Sequence, residues 1–136
     1  MTDIAQLIEL PEFADSRGAL VVAEHSKQLP FAVERVFFQT RVPARDKRGM
    51  HAHRECHQVL ICVNGAVSAT VDNGTERQTV RLDRANLGLY MPPMTWGTQF
   101  DYAPDTVLLV LASHGYDADD YIHDYDEFTS AVAAQQ

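Results

Sequence analysis

The sequence predicts an all-β fold, a sandwich or small barrel, finished by one short C-terminal helix. Three observations point there. Apolar residues alternate in short pieces, turn residues separate those pieces roughly every 8–12 positions, and only the tail changes to helical spacing. In chain order, residues 19–24, 34–40, 58–63, 66–72, 77–82 and 106–112 are rich in Val, Leu, Thr and Phe and read as strands. Between the fourth and fifth of these, Val71-Asp72-Asn73-Gly74-Thr75 predicts a two-residue hairpin with Asn73 and Gly74 at positive φ. Gly65, Gly88 and Pro92-Pro93 punctuate the rest. From Asp117 onward, Tyr121, Tyr125, Phe128 and Val132 recur at helical spacing, with acids placed early, where a helix N-terminus favours negative charge. The six acids in the eleven residues 117–127 read as the solvated face of that helix.

A chain of 136 residues, 46% hydrophobic, has room for one packed domain, taken as residues 1–136. Its net charge of −8 argues against a nucleic-acid partner, which requires a basic footprint. No apolar run approaches the ~20 residues of a membrane span. The opening MTDIAQLIEL carries an acid and no basic cluster, so it does not read as a secretory signal. Cys56 and Cys62 cannot make a disulfide scaffold and read as reduced thiols, which leads us to expect a cytoplasmic protein.

Chemistry concentrates in Gly49-Met50-His51-Ala52-His53, with Gln58 and Gly65 behind it. On a strand, residues i and i+2 share a face, so His51 and His53 project side by side, about 6–7 Å apart at the backbone. On an outer face they are two solvated histidines; inside a barrel they share one pocket. A Gly before the HxH, a polar residue five positions after it and a Gly beyond match the first motif of the cupins, whose fold is a double-stranded β-helix, or jelly roll. Metal cupins carry Glu at that polar position and another His in a later motif. Here Gln58 stands in place of Glu, and an amide, which does not deprotonate, is a poor ligand beside two imidazoles. Glu55, the nearest acid, is in register only if the strand stays regular. The later motif, residues 88–97, contains no His. The sequence therefore implies a cupin with no metal and no other cofactor. Two imidazoles with ordinary pKa values near ~6.5 can take and return protons at neutral pH; mutual repulsion predicts one neutral base and one charged acid. Proton transfer beside a carbonyl needs no more than that.

The wider pattern is more specific. Asp15-Ser16-Arg17-Gly18, Pro30-Phe31, Arg35-Val36, Arg48-Gly49-Met50-His51-Ala52-His53, Gln58-Val59-Leu60, Asn64-Gly65, Gly88-Leu89-Tyr90, Trp96, Val110-Leu111-Ala112-Ser113, Tyr116-Asp117 and Asp120-Tyr121-Ile122 follow one another in order. Over roughly residues 10–130 the chain resembles the sugar 3,4-ketoisomerase cupins, the dTDP-4-keto-6-deoxyglucose 3,4-ketoisomerases of deoxysugar biosynthesis, which supply surface polysaccharides or antibiotics. The resemblance implies a metal-free homodimer whose N-terminal strand crosses to the partner subunit. It implies a dTDP-linked 4-keto-6-deoxyhexose as substrate, with the ketone moved from C4 to C3 through an enediol. It also implies that His51 shuttles the proton between C3 and C4 while His53 handles the oxygen protons. Read from the residues alone, the two roles are interchangeable.

A diphosphate on an acidic protein needs local positive charge. Arg41, Arg45, Lys47, Arg48 and Arg54 cluster within residues 41–54. Arg48 leads them because it precedes the histidine pair and its planar fork fits phosphate oxygens. Arg17 and Arg35 are further substrate-binding candidates. Tyr90 and Trp96 are candidates to stack on base or sugar, though strand aromatics also build cores. Gln58 is expected to hydrogen-bond a sugar oxygen or a histidine. Three positions depart from the family pattern. Phe37-Phe38 replace tyrosines, Gly97 replaces a His or Arg after the Trp, and His57 replaces an acid and is expected on the face of His51 and His53. In the family, position 97 pairs with the position held by Arg17, and Arg17 with Gly97 is half of the pattern that goes with galacto products. Three other readings compete. A 3,5-epimerase pairs a His with an Asp and a facing Tyr, which the sequence does not place. The remaining two are a metal-dependent cupin oxygenase and a non-catalytic sugar-binding cupin.

Overall fold

Strands that alternate apolar and polar residues are two-faced, and two such sheets bury their shared faces by stacking. The computed structural model describes residues 4–136. In chain order it contains β1 (Gln6–Glu9), β2 (Glu12–Asp15), β3 (Gly18–Val21), β4 (Arg35–Thr40), β5 (Arg48–His53) and β6 (Gln58–Asn64). These are followed by β7 (Val67–Asp72), β8 (Arg77–Leu82), β9 (Leu87–Met91), β10 (Trp96–Phe100), β11 (Val107–Ala112), β12 (Tyr121–Ile122) and the helix α1 (Tyr125–Ala134). One five-stranded sheet has the order β1-β9-β6-β11-β4 and the other β12-β5-β10-β7-β8. All pairings within them are antiparallel, as the jelly roll requires.

The main core lies between the sheets, where Leu60, Leu89 and Leu108 from one meet Val67, Val71 and Leu82 from the other. The outer face of the first sheet is covered by Leu29 and Phe31, which pack on Val59 and Ile61. The outer face of the second is covered by α1, whose Phe128 is fully buried beside Ala52 and Ile122.

The expected strands are present within one residue of their predicted ends, except the first, which stops at Val21 rather than Glu24. The hairpin differs in detail. Asn73 N–H donates to the Glu76 carbonyl at 3.1 Å, and Gly74, not Asn73, has the positive φ, 97°. The turn is therefore centred on Gly74-Thr75, one residue later than predicted, with Gly at the first central position. Asn73 leads into it instead, its Oδ1 accepting from the N–H groups of Thr75 at 3.0 Å and Glu76 at 2.9 Å.

The tail also differs. The predicted helix from Asp117 is a 3₁₀ turn (Ala118–Asp120), then β12, and only then α1. Tyr121 pairs with His53 on β5 rather than lying on a helix. The helix starts late because Asp124 caps it, accepting from Asp126 N–H at 3.1 Å. The acids are likewise not one solvated face: Asp117 and Asp124 are caps, and the Asp120 side chain is only 12% exposed.

β2 and β3 form a ribbon of their own, separate from both sheets, with Phe13 65% and Leu20 59% exposed.

Candidate active site

β5 is irregular where it matters. Gly49 and Met50 have φ of 80° and 58°, and the pairing with β10 slips between Gly97, opposite His51, and Thr98, opposite Gly49. This bulge re-aims the strand. His51 and His53 then both face the space between the sheets, as the i, i+2 spacing predicts. They line a cleft together with Gln58, Gln39, Gln99 and Met91. The two imidazoles meet edge to face, ring centres 5.0 Å apart at 87°. Tyr121, on the neighbouring β12, lies against both rings at 5.0 and 4.4 Å, and His123 stands 5.8 Å from His51.

Each histidine has its Nδ1 occupied by a pure acceptor. His51 Nδ1 lies 3.1 Å from the Gly49 carbonyl oxygen, and His53 Nδ1 lies 2.9 Å from Asp120 Oδ2. Such partners require the proton on Nδ1 and leave Nε2 as the lone-pair nitrogen. In His53, only 5% exposed, Nε2 is buried without a partner among the described residues.

The electrostatics favour neutral rings. Burial, then the neighbouring His53 and His123, push the His51 pKa down to about 4, against the opposing pull of the Gly49 carbonyl. Burial also lowers His53; Asp120 opposes this, while Arg35 and His123 reinforce it. The expectation of one neutral and one charged imidazole is thus corrected, because desolvation acts on both. Burial pushes the Asp120 carboxyl up. The Glu55 and Cys56 N–H groups and His53 outweigh it and hold the carboxyl below the usual range. A His53 ring nitrogen, Cys56 Sγ and an Asp120 oxygen lie within 4.8 Å of one another, a donor set that could hold a metal ion.

The other predicted residues are distributed unequally. Gln58, 7% exposed, lines the cleft. Arg35 is close enough to act on His53; its guanidinium lies over the rings of Phe37 at 5.1 Å and Tyr116 at 5.9 Å, with Nε buried and unpartnered among the described residues. Gly97 lines the cleft as well, and the Met91 methyl occupies the space a Cβ there would take. Arg48 is exposed at the start of β5, opposite Gln99, and is not part of the cleft wall. Arg17 sits in the turn of the β2–β3 ribbon, its Nη2 2.6 Å from Asp15 Oδ2.

Two aromatic expectations are corrected by strand alternation. Met91 and Leu89 face inward on β9, so Tyr90 faces outward, against Phe31 and 2.7 Å from His57 Nδ1. Gly97 and Gln99 face inward on β10, so Trp96 faces α1 and packs on Tyr125 and Phe128. His57 is corrected with Tyr90: it precedes β6 in a loop and stacks on that ring, away from His51 and His53.

The residues that sequence reasoning missed are Asp120, Tyr121, Gln39 and Gln99. With His53, Asp120 supplies the His–Asp pair that the sequence left unplaced. Its signal was present, since Asp120-Tyr121-Ile122 belongs to the resemblance, but acid-rich surroundings made it look like surface.

The FdtA family model, described as WxcM-like, C-terminal, matches residues 3–133. The TDP-4-oxo-6-deoxy-alpha-D-glucose-3,4-oxoisomerase of Aneurinibacillus thermoaerophilus is 39% identical over 128 residues, 94% of this chain and 92% of its own. The sugar 3,4-ketoisomerase QdtA of Thermoanaerobacterium thermosaccharolyticum, solved in complex with TDP, is 37% identical with a TM-score of 0.94, covering 99% of this chain and 98% of that one. A histidine-to-asparagine mutant of QdtA, 36% identical over the same shares with the same TM-score of 0.94, was solved with TDP-4-keto-6-deoxyglucose. A match along nearly the whole length, in sequence and in backbone, leaves one assignment: this chain belongs to the FdtA family.

Proposed function

We propose that this protein is a sugar-nucleotide 3,4-ketoisomerase that converts dTDP-4-keto-6-deoxy-D-glucose into the 3-keto isomer. The observation that carries the reading is the histidine pair. Two neutral imidazoles stand ring to ring in a cleft, each with Nδ1 tied and Nε2 left as a base. The relatives' names supply the substrate: an oxoisomerase of the TDP-4-oxo sugar, and a ketoisomerase solved with TDP-4-keto-6-deoxyglucose.

The chemistry balances with these two groups. The C3 hydrogen is acidified by the C4 carbonyl, and the Nε2 of His51 removes it, leaving an enediolate across C3 and C4. The Nε2 of His53 takes the O3 proton and delivers it to O4. The His51 imidazolium then returns its proton to C4, and the ketone stands at C3 with both rings neutral again. Gln58, Gln39 and Gln99 offer the cleft amide donors and acceptors for sugar hydroxyls. Arg35 supplies the nearest cationic charge for the diphosphate. Arg17 with Gly97 favours the galacto configuration at C4. A second chain completes the site in this reading: the protein works as a homodimer, with the N-terminal ribbon laid on the partner.

The test is NMR of dTDP-4-keto-6-deoxyglucose with the purified protein, with and without chelator. Movement of the carbonyl to C3, unaffected by chelator, supports the reading, and the C4 coupling reports the configuration. A 3,5-epimerase, which uses a His–Asp pair of the same kind, leaves the carbonyl at C4. A chelator-sensitive reaction points to a metal cupin, and binding without turnover to a sugar-binding module.

A further inference from the structure

We propose that Asp120 is the positioning residue of the His53 base, fixing its Nδ1–H tautomer and holding Nε2 toward the cleft. The inference rests on the reading above for its kinetic consequence, but not for its structural one.

Asp120 is gripped at three points by the segment it serves. Its carbonyl accepts from Arg54 N–H at 2.8 Å, its Oδ1 from Glu55 N–H at 2.7 Å, and its Oδ2 meets His53 Nδ1 at 2.9 Å. The 3₁₀ turn that presents it is itself capped by Asp117, whose Oδ1 accepts from Asp119 N–H at 3.0 Å. A carboxylate held this way has no freedom to rotate off the ring and can only accept, so the ring nitrogen facing it must carry the proton. A purely structural His–Asp pair would leave the far nitrogen bonded or in solvent. Here His53 Nε2 is buried, has no partner among the described residues, and the residue lines the cleft. The lone pair that Asp120 creates belongs to a residue of the cleft wall.

Asp120→Asn tests this with little change of shape. The single amide oxygen stays with the Glu55 N–H, which turns the NH₂ toward Nδ1 and forces the proton onto Nε2. In the ligand-free protein, imidazole ¹⁵N shifts are expected to show Nδ1–H at His53 in wild type and Nε2–H in the variant. With the keto sugar, kcat is expected to fall ~10²-fold or more while KM stays within about threefold, because the lost interaction serves proton transfer rather than binding. A wild-type His53 carrying its proton on Nε2, or a variant with wild-type kcat, overturns the proposal. So does a loss of kcat/KM carried by KM alone. The wild-type shift decides the matter even if the variant fails to fold. If wild type shows the Nδ1–H tautomer but no turnover of the keto sugar, the functional reading fails and the positioning role stands.

Discussion

His51 reaches back along its own strand to the carbonyl of Gly49, with Nδ1 and oxygen 3.1 Å apart. The contact accompanies the bulge at Gly49-Met50, and glycine is what makes the bulge affordable. At Gly49, φ is +80°, and an added Cβ would lie 2.8 Å from Gln99 Oε1 and 2.9 Å from the Gly97 carbonyl. Gly49→Ala is therefore expected to cost about 1–3 kcal/mol of stability and to lower kcat by displacing His51. Thermal unfolding and initial rates check both. Unchanged values for both would show that the bulge does not set the base.

The depressed histidines make the fold sensitive to acid. The His51 pKa is about 4 in the folded chain against 6.5 for the free side chain, so the unfolded state binds more protons below neutrality. The stability is fully present above pH 6.5 and is lost as pH falls toward 4, by an amount on the order of 2–3 kcal/mol. His53 is shifted in the same direction. Denaturant unfolding at pH 7.5 and pH 5 should show wild type losing more stability on acidification than His51→Asn does. Parallel losses would contradict the burial-driven shift.

His51→Asn removes the proposed carbon base while keeping a polar group of similar reach. Turnover is expected to fall by at least ~10²-fold, with TDP affinity by calorimetry held within about threefold. Equal kcat for wild type and variant would remove His51 from the mechanism.

Two arginines make a contrast. Arg35 acts electrostatically on His53 and has a buried Nε without a partner among the described residues, whereas Arg48 is exposed outside the cleft wall. Arg35→Ala is expected to raise KM about tenfold or more, with Arg48→Ala closer to wild type, since a lost ground-state contact with the substrate appears in KM. The reverse ranking would return the diphosphate to Arg48.

How far the sequence could be read follows from period and context. The period of two in residues 58–63 and 106–112 located strands at the centre of a sheet, and His51 and His53 share a face because nothing interrupts the chain between them. Alternation also contained the answer for Tyr90 and Trp96. Each sits one position from an inward residue, but knowing which face is inward takes the partner strand. The bulge at Gly49 was not legible, because a Gly before an HxH strand looks like any turn residue. Asp120 was hidden for another reason. Its contact with His53 spans 67 positions, and among six neighbouring acids only the folded chain shows which one turns inward.

The β2–β3 ribbon poses the last question. A two-stranded hairpin has marginal stability in water unless its apolar face is covered. Phe13 and Leu20 pair across this one, both more than half exposed. In the homodimer proposed above, the partner's surface supplies the cover, and Arg17 at the ribbon's turn is carried with it. Phe13→Asp combined with Leu20→Asp leaves the jelly-roll core untouched and removes only that apolar face. Sedimentation of wild type is expected to give a dimer and of the double variant a monomer–dimer mixture. Arg17→Ala should keep the dimer yet lower kcat/KM by ~10-fold or more, because the charge that the turn delivers serves the substrate and not the interface. A wild type that sediments as a monomer with full turnover would place Arg17 outside the reaction and leave the ribbon a surface feature of a self-sufficient subunit.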